Sequence, residues 1–472
     1  MNERSDLPSP VTALFPEPAD RSRTDDWLTQ HIAAALGRVS QGSVMPTVDM
    51  PRFRRELAAL DFDVPREASE LLSWTIAQLE AGTVHMTHPR YFGLFNPAPT
   101  APSQWADRIA GAFNPQLASS GSSPVPVEIE AHVIRELARR AAMPDETVGH
   151  FTTSGSEANY TALICALTHA HPRFGNDGAR AFSGPVALYV SAESHPAWTK
   201  IAHQAGVGRN ALRLVATDGT GKLDPGALEN ALTADIAAGI TPVLIVATAG
   251  TTGAGMVDPL QRCADIAAAH GIWFHVDAAW GGAALSSNRL RGLLSGIERA
   301  DSITIDAHKW FATTMGCGMF LTRDGTALSE AFRVAADFMP SNATATDPYL
   351  NTVQWSRRFV GLRLFLSLGV AGWQGIADHV ERAGAVTEQV KARLQSRGWT
   401  VVNDSALAVL CVVPPKDGPN IPDIVRRTLK SGRAWVARSS FEGREVIRIC
   451  ATHGQTSLAD VDELVSVLAG DK

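Results

Sequence analysis

The spacing of apolar side chains predicts helices near the start of the chain. Between residues 25 and 82 they recur at helical intervals, first through Leu28, Ile32 and Leu36 and again around Ile76 and Leu79. The residues before this region are rich in proline, aspartate and arginine, which is typical of a loosely held segment. We therefore expect a helical N-terminal arm over residues 1–86.

From about residue 128 the pattern changes to helices that alternate with short, strongly apolar runs. Helical patterns cover residues 128–142, 156–171, 226–238 and 259–270, and runs of strand length cover residues 185–190, 212–215, 243–248, 273–276, 302–305 and 318–321. Strands that are apolar throughout must be covered on both faces, which favours a mostly parallel sheet. The pattern predicts a large α/β domain over residues 87–370.

In the last third of the sequence the pattern of apolar positions changes. Residues 335–352 combine little periodicity with several prolines, serines and threonines, so we expect a long loop there. A helical stretch at residues 362–368 precedes strand-like runs at 400–402, 407–413 and 446–449 and a helix at 457–468. This mixture predicts a smaller α+β domain over residues 371–472.

Composition and charge narrow the class of protein. The 472 residues are 45% apolar and 19% charged, and a net charge of -6 without a basic block argues against a nucleic-acid partner. The five cysteines lie far apart, so we expect neither disulfides nor a metal site. No signal peptide and no apolar run of about 18 residues is visible, which predicts a cytoplasmic protein without a membrane span.

A turn rich in serine and glycine opens directly onto an apolar helix at residues 153–159. The free N–H groups at such a helix start can bind an anion, and Gly155 and Ser156 would supply them. The alternative is a capping box with Ser154 as N-cap and Glu157 three residues later. The two interpretations are compatible.

An aspartate and a lysine follow two of the predicted buried strands. Asp277 needs a cationic or hydrogen-bonding partner there, although it could also simply cap the next turn. Lys309, beside His308 and Trp310, is a candidate for a partly desolvated amine that forms an imine, whereas a lone lysine is usually a solvated surface charge. The 32 positions between them match one strand-to-strand step, so both can face one cleft.

Two further side chains join the same edge of the predicted sheet. His195 follows the strand at residues 185–190, and Thr248 ends the strand at 243–248. An isolated histidine is more often a surface or satisfied core residue. Along the sequence, a candidate anion-binding helix start is followed by an imidazole, a hydroxyl, a carboxylate and an amine. This order of groups indicates a functional site more specifically than any one of them does.

Taken together, these segments resemble the group II pyridoxal-phosphate decarboxylases of fold type I, which act on aromatic amino acids, glutamate, histidine or 2,4-diaminobutyrate. The resemblance runs from about residue 87 to the C-terminus. The most specific matches are Asp306-Ala307-His308-Lys309-Trp310, Phe274-His275-Val276-Asp277-Ala278-Ala279 and Ser154-Gly155-Ser156-Glu157-Ala158-Asn159.

The resemblance implies a role for each matched residue. Lys309 would hold pyridoxal 5'-phosphate (PLP) as a Schiff base, and Asp277 would keep the ring nitrogen protonated so that the ring accepts electrons. His195 would stack on the ring, and the remaining cofactor contacts would be Gly155, Ser156, Thr248, Ala279, Asp306 and His308. The family's chains form homodimers with sites at the interface, and its N-terminal helices clasp the partner.

The implied reaction is decarboxylation of an L-amino acid to the corresponding amine. A proton must then return to the α-carbon. In the family, the donor of this proton is assigned to a tyrosine on a mobile loop. Alignment puts Phe338 at that position, and Tyr349 is the only tyrosine in the predicted loop. Loss of that hydroxyl in some relatives diverts the reaction to oxidative deamination, so an aldehyde product is the alternative to the amine.

The substrate is poorly specified by the sequence. Leu94, Phe95 and Asn96 lie where aromatic-specific relatives have a largely aromatic wall, and Ala118 replaces another aromatic residue. Arg448 matches an arginine that binds the substrate carboxylate in glutamate decarboxylases. A structural salt bridge is the alternative role for Arg448.

Three other functions compete with decarboxylation. A PLP-dependent carbon–carbon lyase similar to sphingosine-phosphate lyase shares the Asp-x-His-Lys element, but no second phosphate site is visible. An aminotransferase fits less well, because the His-Lys doublet is not its usual setting. A non-catalytic binding or scaffold protein would not need Lys309, Asp277 and His195 together.

Overall fold

The computed structural model describes residues 9–334 and 347–471. Its helices are α1 (Ser9–Leu14), α2 (Pro18–Gln41), α3 (Met50–Ala58), α4 (Ala68–Gly82), α5 (Ala101–Phe113), α6 (Pro124–Arg140), α7 (Gly155–Ala170), α8 (Phe174–Asp177), α9 (Ala197–Gln204), α10 (Pro225–Ala237), α11 (Leu260–His270), α12 (Gly325–Phe332), α13 (Leu362–Gln395), α14 (Ile421–Ser431) and α15 (Leu458–Ala469). Within these ranges, no helix is both long and apolar enough to cross a membrane.

The strands form two separate sheets. They are β1 (Val148–Thr152), β2 (Val186–Ser191), β3 (Leu212–Val215), β4 (Thr241–Thr248), β5 (Trp273–Asp277), β6 (Ser302–Asp306), β7 (Gly318–Thr322), β8 (Thr400–Val401), β9 (Val409–Val413), β10 (Ala437–Phe441) and β11 (Arg444–Cys450). The first seven make one sheet in the order β1-β7-β6-β5-β4-β2-β3, and the last four make an antiparallel sheet in the order β10-β11-β9-β8.

The large sheet is mostly parallel, as predicted. The pairs β3–β2, β2–β4, β4–β5 and β5–β6 are parallel, and β7 runs against both of its neighbours. Every residue of β2, β5, β6 and β7 is buried, because helices cover both faces of the sheet. The carboxyl ends of the parallel strands therefore lie along one edge, where α/β folds collect their ligands.

The C-terminal part packs helices on the antiparallel sheet. The long helix α13 leads into it and is kinked at Gly372, whose φ of 63° is accessible to glycine without strain. Helix α15 begins with a capping box in which Ser457 and Asp460 bond each other's backbone N–H groups. The α+β character predicted for this region is confirmed.

Some elements were not visible in the sequence pattern. Strand β1 contains a glycine and a histidine and only five residues, so its apolar signal is weak. Strand β10 is mostly polar because one face is exposed, and helix α5 lies in a stretch rich in alanine and proline. Strand β1 pairs with the distant β7 and α5 packs on the distant α13, whereas β10 pairs with the next strand, β11, across a two-residue turn.

Three histidines are buried in the fold with strongly lowered pKa values. Burial lowers the pKa of His88 and of His275 to about 4, and the pKa of His150 on β1 to about 3. The positive charge of Arg357 also lowers the pKa of His150, and neither ring nitrogen of His150 has a hydrogen-bond partner among the described residues. Protonating these rings therefore opposes folding.

Replacing His150 should flatten the acid side of the stability profile. Between about pH 6.5 and pH 3 the unfolded chain holds a proton on this ring that the folded chain does not, so the free energy of unfolding falls as pH falls. In His150→Phe that contribution, about 1.4 kcal/mol per pH unit, should disappear. Urea unfolding at pH 6 and pH 4.5 measures the slope. Exposed His270→Phe is the control, and equal slopes for His150→Phe and wild type would contradict the prediction.

Candidate active site

A cavity of about 180 Å³ lies at the carboxyl ends of the large sheet's strands. Ten of the eleven residues singled out from the sequence line it, namely Phe95, Gly155, Ser156, His195, Thr248, Asp277, Ala279, Asp306, His308 and Lys309. The eleventh, Arg448, lies outside the lining. A larger cleft of about 580 Å³, lined by the start of α11, part of α13 and the segment that leads into β9, contains none of these residues.

Lys309 presents its amine beside a buried carboxylate. Its Nζ lies 3.1 Å from Oδ2 of Asp306, the last residue of β6. Oδ1 of Asp306 has no hydrogen-bond partner in the described chain, and Nε2 of His308 lies 3.9 Å from Oδ2. The carboxylate thus has capacity for a further polar group in the cavity.

The N-terminus of α7 points free N–H groups into the same cavity. Ser154 is the N-cap but makes no side-chain cap bond, and Glu157 instead accepts hydrogen bonds from the backbone N and Oγ1 of Thr153, at 2.8 and 2.6 Å. The capping-box interpretation of Ser154 is therefore wrong. The first N–H groups of this sixteen-residue helix remain available for an anion.

Gly155 is required by close packing at this helix start. A Cβ atom at Gly155 would lie 2.8 Å from Oδ2 of Asp306 and 3.3 Å from Cβ of Ala279. Any side chain there would occupy the space between α7 and the ends of β5 and β6. The glycine therefore keeps the cavity open beside the helix N-terminus.

Asp277 ends β5 with its carboxylate held by two neutral donors. The backbone N of Ala279 donates to Oδ1 at 3.1 Å, and Nδ2 of Asn159 donates to Oδ2 at 2.8 Å. No lysine or arginine of the described residues forms an ion pair with it. Its negative charge is therefore available to a cationic group in the cavity.

His195 and Thr248 come from the ends of β2 and β4. Burial lowers the pKa of His195, an effect that Asp277 opposes and Lys309 reinforces, so the ring is neutral at pH 7. Its Nδ1 accepts the backbone N–H of Ala197 at 3.1 Å, which leaves the proton on Nε2. Oγ of Ser194 lies 2.7 Å from Oγ1 of Thr248 and ties the two loops together.

An aromatic stack forms one wall of the cavity. Phe95 stacks on Trp280 with ring centroids 3.9 Å apart, and Trp280 stacks on Trp310 at 4.8 Å. Behind this wall, the guanidinium carbon of Arg448 lies 4.3 Å from the Phe95 centroid, and one of its N–H groups donates to Gly93 O at 3.0 Å. Arg448 is buried and has no carboxylate within ion-pair distance in the described chain, so the salt-bridge interpretation is wrong.

The other residues considered for substrate contact lie elsewhere. Leu94 is half exposed, Asn96 donates to the sulfur of Met315, and Ala118 accepts the backbone N–H of Tyr349. Tyr349 is buried against Trp355 and does not line the cavity of its own chain. Phe338 lies outside the described residues.

Sequence reasoning missed several residues that line the cavity. They are Ser154, Asn159, Gly250, Thr252 and Trp280. Asn159 lies four positions after Gly155 and so shares its face of α7, which is a signal that the sequence did contain. Thr252 and Gly250 follow β4 in a loop that carries no distinctive pattern.

Comparison with known proteins assigns the family. A family model for the pyridoxal-dependent decarboxylase conserved domain matches residues 54–412. The chain belongs to this family. Pyridoxal-dependent decarboxylases carry PLP, and the present protein is accordingly a PLP-dependent amino acid decarboxylase that forms an amine.

Individual relatives cover nearly the whole chain. The cysteine sulfinic acid decarboxylase of Mus musculus is 31% identical over 442 residues and 89% of each chain. The aromatic-L-amino-acid decarboxylase of Bacillus atrophaeus is 27% identical over 448 residues and 91% of each chain. The structure of Oryza sativa TDC with PLP and tryptamine superposes with a TM-score of 0.89 at 26% identity, covering 96% of this chain and 98% of that one.

Proposed function

We propose that the cavity binds PLP with its aldehyde carbon on Nζ of Lys309, its ring nitrogen facing Asp277 and its phosphate at the N-terminus of α7. The observation that carries this proposal is the meeting of an amine, an unneutralised buried carboxylate and free helix N–H groups in one cavity. The space preserved by Gly155 and the unpartnered Oδ1 of Asp306 fit a polar group of this kind.

When bound, PLP supplies an electron-accepting ring that takes up the electron pair left behind as the substrate carboxylate departs as carbon dioxide. Asp277 would stabilise a positive charge on the ring nitrogen, because no residue within 9–334 or 347–471 neutralises its own charge. The neutral ring of His195 offers a flat surface on the cavity wall. Phe95 and Trp280, whose ring centroids lie 3.9 Å apart, form an aromatic part of the cavity wall, and its low polarity strengthens these electrostatic interactions.

Two groups on the cavity wall hold a proton at a defined atom. His195 carries one on Nε2, because Nδ1 accepts a backbone hydrogen bond. The second N–H donor is Nζ of Lys309, 3.1 Å from Asp306 Oδ2. We propose that one of these groups, rather than Tyr349 of the same chain, returns the proton that gives the amine.

Lys309→Ala should abolish both turnover and covalent attachment of PLP. Borohydride reduction followed by mass spectrometry of the intact protein detects the attachment, and amine release measures turnover. The variant lacks the amine that bonds the aldehyde, while Asp277 and α7 still offer non-covalent binding. Lys430→Ala, at an exposed position of α14, is the matched control. An active Lys309→Ala protein would remove the central proposal.

We further propose that Arg448 binds a carboxylate of the substrate. A buried guanidinium without a carboxylate partner is costly, and a bound anion would offset that cost. Arg448 lies directly behind Phe95, so a carboxylate that reaches past the edge of this ring can meet its remaining N–H groups. Its Nε has no partner among the described residues.

Arg448→Met should raise the KM of the preferred amino acid by roughly 10-fold or more, since a charged hydrogen bond is lost. The substrate is first chosen from a panel that includes cysteine sulfinate, aspartate, glutamate, tyrosine and tryptophan, scored for amine, aldehyde and peroxide together. Arg438→Met, on the neighbouring strand β10 and largely exposed, is the control. An unchanged KM in Arg448→Met would show that the carboxylate binds elsewhere.

We also propose that the enzyme is a homodimer in the cytoplasm, with an arm at residues 1–86, a PLP-binding domain at 87–370 and a small domain at 371–472. Helix α5 exposes a stripe of Trp105, Ile109 and Phe113, which are 54%, 43% and 83% accessible, and α2 buries only two of its 24 residues. Apolar stripes of this kind are usually buried against another surface, here a second copy of the chain.

The five cysteines are free and buried, which suits the reducing environment of the cytoplasm.

Ile109→Glu should dissociate the dimer, because it places a charge in the centre of the stripe on α5. Sedimentation velocity measures the assembly, and activity should fall together with the dimer fraction. Leu458→Glu, at another exposed apolar position, on α15, is the control and should stay dimeric. A wild-type protein that sediments as an active monomer would contradict the proposal.

A further inference from the structure

A continuous chain of buried hydrogen bonds runs from Asp277 into the core of the large sheet. Nδ2 of Asn159 donates to Asp277 Oδ2 at 2.8 Å, and Oδ1 of Asn159 lies 3.0 Å from Nε2 of His275. Nδ1 of His275 lies 2.8 Å from Oγ of Ser302, which also accepts the indole N–H of Trp273 at 2.8 Å. All five side chains are buried.

Secondary structure brings these groups together. His275 and Asp277 are two residues apart on β5 and so share a face of the sheet, the face that α7 covers with Asn159. Ser302 on β6 is directly opposite His275 in the parallel register. The arrangement therefore depends on the rigid centre of the sheet and not on a loop.

The direction of every hydrogen bond in this series follows from the groups at its two ends, the indole of Trp273 and the carboxylate of Asp277. An indole N–H can only donate and a carboxylate can only accept. Ser302 accepts from Trp273 and so can give its own proton to His275 Nδ1, which leaves the histidine proton on Nε2 for Asn159 Oδ1. The amide group of Asn159 is then fixed with its N–H towards Asp277.

The imidazole of His275, in the middle of this hydrogen-bond series, is neutral. Burial lowers the pKa of His275 to about 4, although Asp277 and the Ser302 contact oppose this shift. The other nearby polar group is Thr304, whose Oγ1 lies 3.4 Å from Nε2. A neutral chain orients Asp277 without neutralising it, whereas a lysine or arginine in the same place would compete with a cationic ligand.

We infer that Asn159 and His275 are positioning residues for the cofactor, which hold the Asp277 carboxylate in the orientation that binds a protonated ring nitrogen. This inference rests on the proposed contact between Asp277 and the PLP ring nitrogen. It predicts that Asn159 and His275, which do not touch the ring nitrogen themselves, determine how strongly Asp277 binds it.

The test compares the affinity of the reconstituted protein for PLP with its affinity for 1-deazapyridoxal phosphate, whose ring has carbon in place of that nitrogen. The ratio of the two dissociation constants isolates the ring-nitrogen contact, and general destabilisation affects both ligands alike. Variants are Asn159→Ala, His275→Phe and Asp277→Asn. Thr322→Val, which removes a buried hydroxyl bonded to Asp301 O on the adjacent strand β7, is the matched control.

We expect wild type and Thr322→Val to prefer PLP, and Asp277→Asn to lose the preference. Asn159→Ala and His275→Phe should each reduce it at least about threefold, the loss expected from a weakened charged hydrogen bond. His275→Gln should restore part of it, because a glutamine amide can both accept from Ser302 and donate to Asn159.

Two results would overturn different statements. If Asp277→Asn loses the preference but Asn159→Ala and His275→Phe keep it, the positioning role is wrong and the ring-nitrogen contact stands. If wild type itself binds both ligands equally, the proposed contact of Asp277 with the ring nitrogen fails first.

Discussion

Burial of two carboxylates at neighbouring strand ends is the constraint on which the rest of the site depends. Asp277 closes β5 and Asp306 closes β6, and both are almost inaccessible to water. Negative charge is costly in such surroundings unless each carboxylate has a partner. Asp306 has Lys309 at 3.1 Å, whereas the donors to Asp277 from the described residues are neutral. The described part of the fold therefore leaves the negative charge of Asp277 available to a cationic ligand.

The parallel sheet explains why so many functional groups meet in a small space. Five parallel strands end at one edge, and four of them, β2, β4, β5 and β6, deliver a loop or a side chain to the same cavity. Helix α7 adds the positive end of its dipole beside Asp306, since a Cβ atom at Gly155 would lie 2.8 Å from Oδ2 of Asp306. Lys309 pairs with Asp306, whereas the carboxylate of Asp277 has no positively charged partner among the described residues, because the backbone fixes these positions.

The same core links the site to the outer parts of the chain. Trp280 stacks between Phe95 and Trp310 and donates its indole N–H to Leu407 O, so the cavity wall is attached to the region before β9. Arg448 on β11 packs against the other side of this wall. The N-terminal helices, in contrast, bury little surface within one chain, and this imbalance is the physical reason for proposing that a second chain covers them.

The sequence by itself determined which functional side chains follow which predicted strands, and this order indicated the family. Buried parallel strands are continuously apolar, so a polar residue at each strand end stands out, and Asp277, Lys309 and His195 could be selected without coordinates. It could not reveal β1, which pairs with the distant β7, or the mostly polar β10, nor that the side chain of Ser154 makes no cap bond. Only the tertiary structure decided that Arg448 lies behind Phe95 with no carboxylate partner among the described residues, and that Asn159 and His275 join Asp277. Those contacts link residues more than a hundred positions apart, and no local pattern encodes which distant side chain fills a given space.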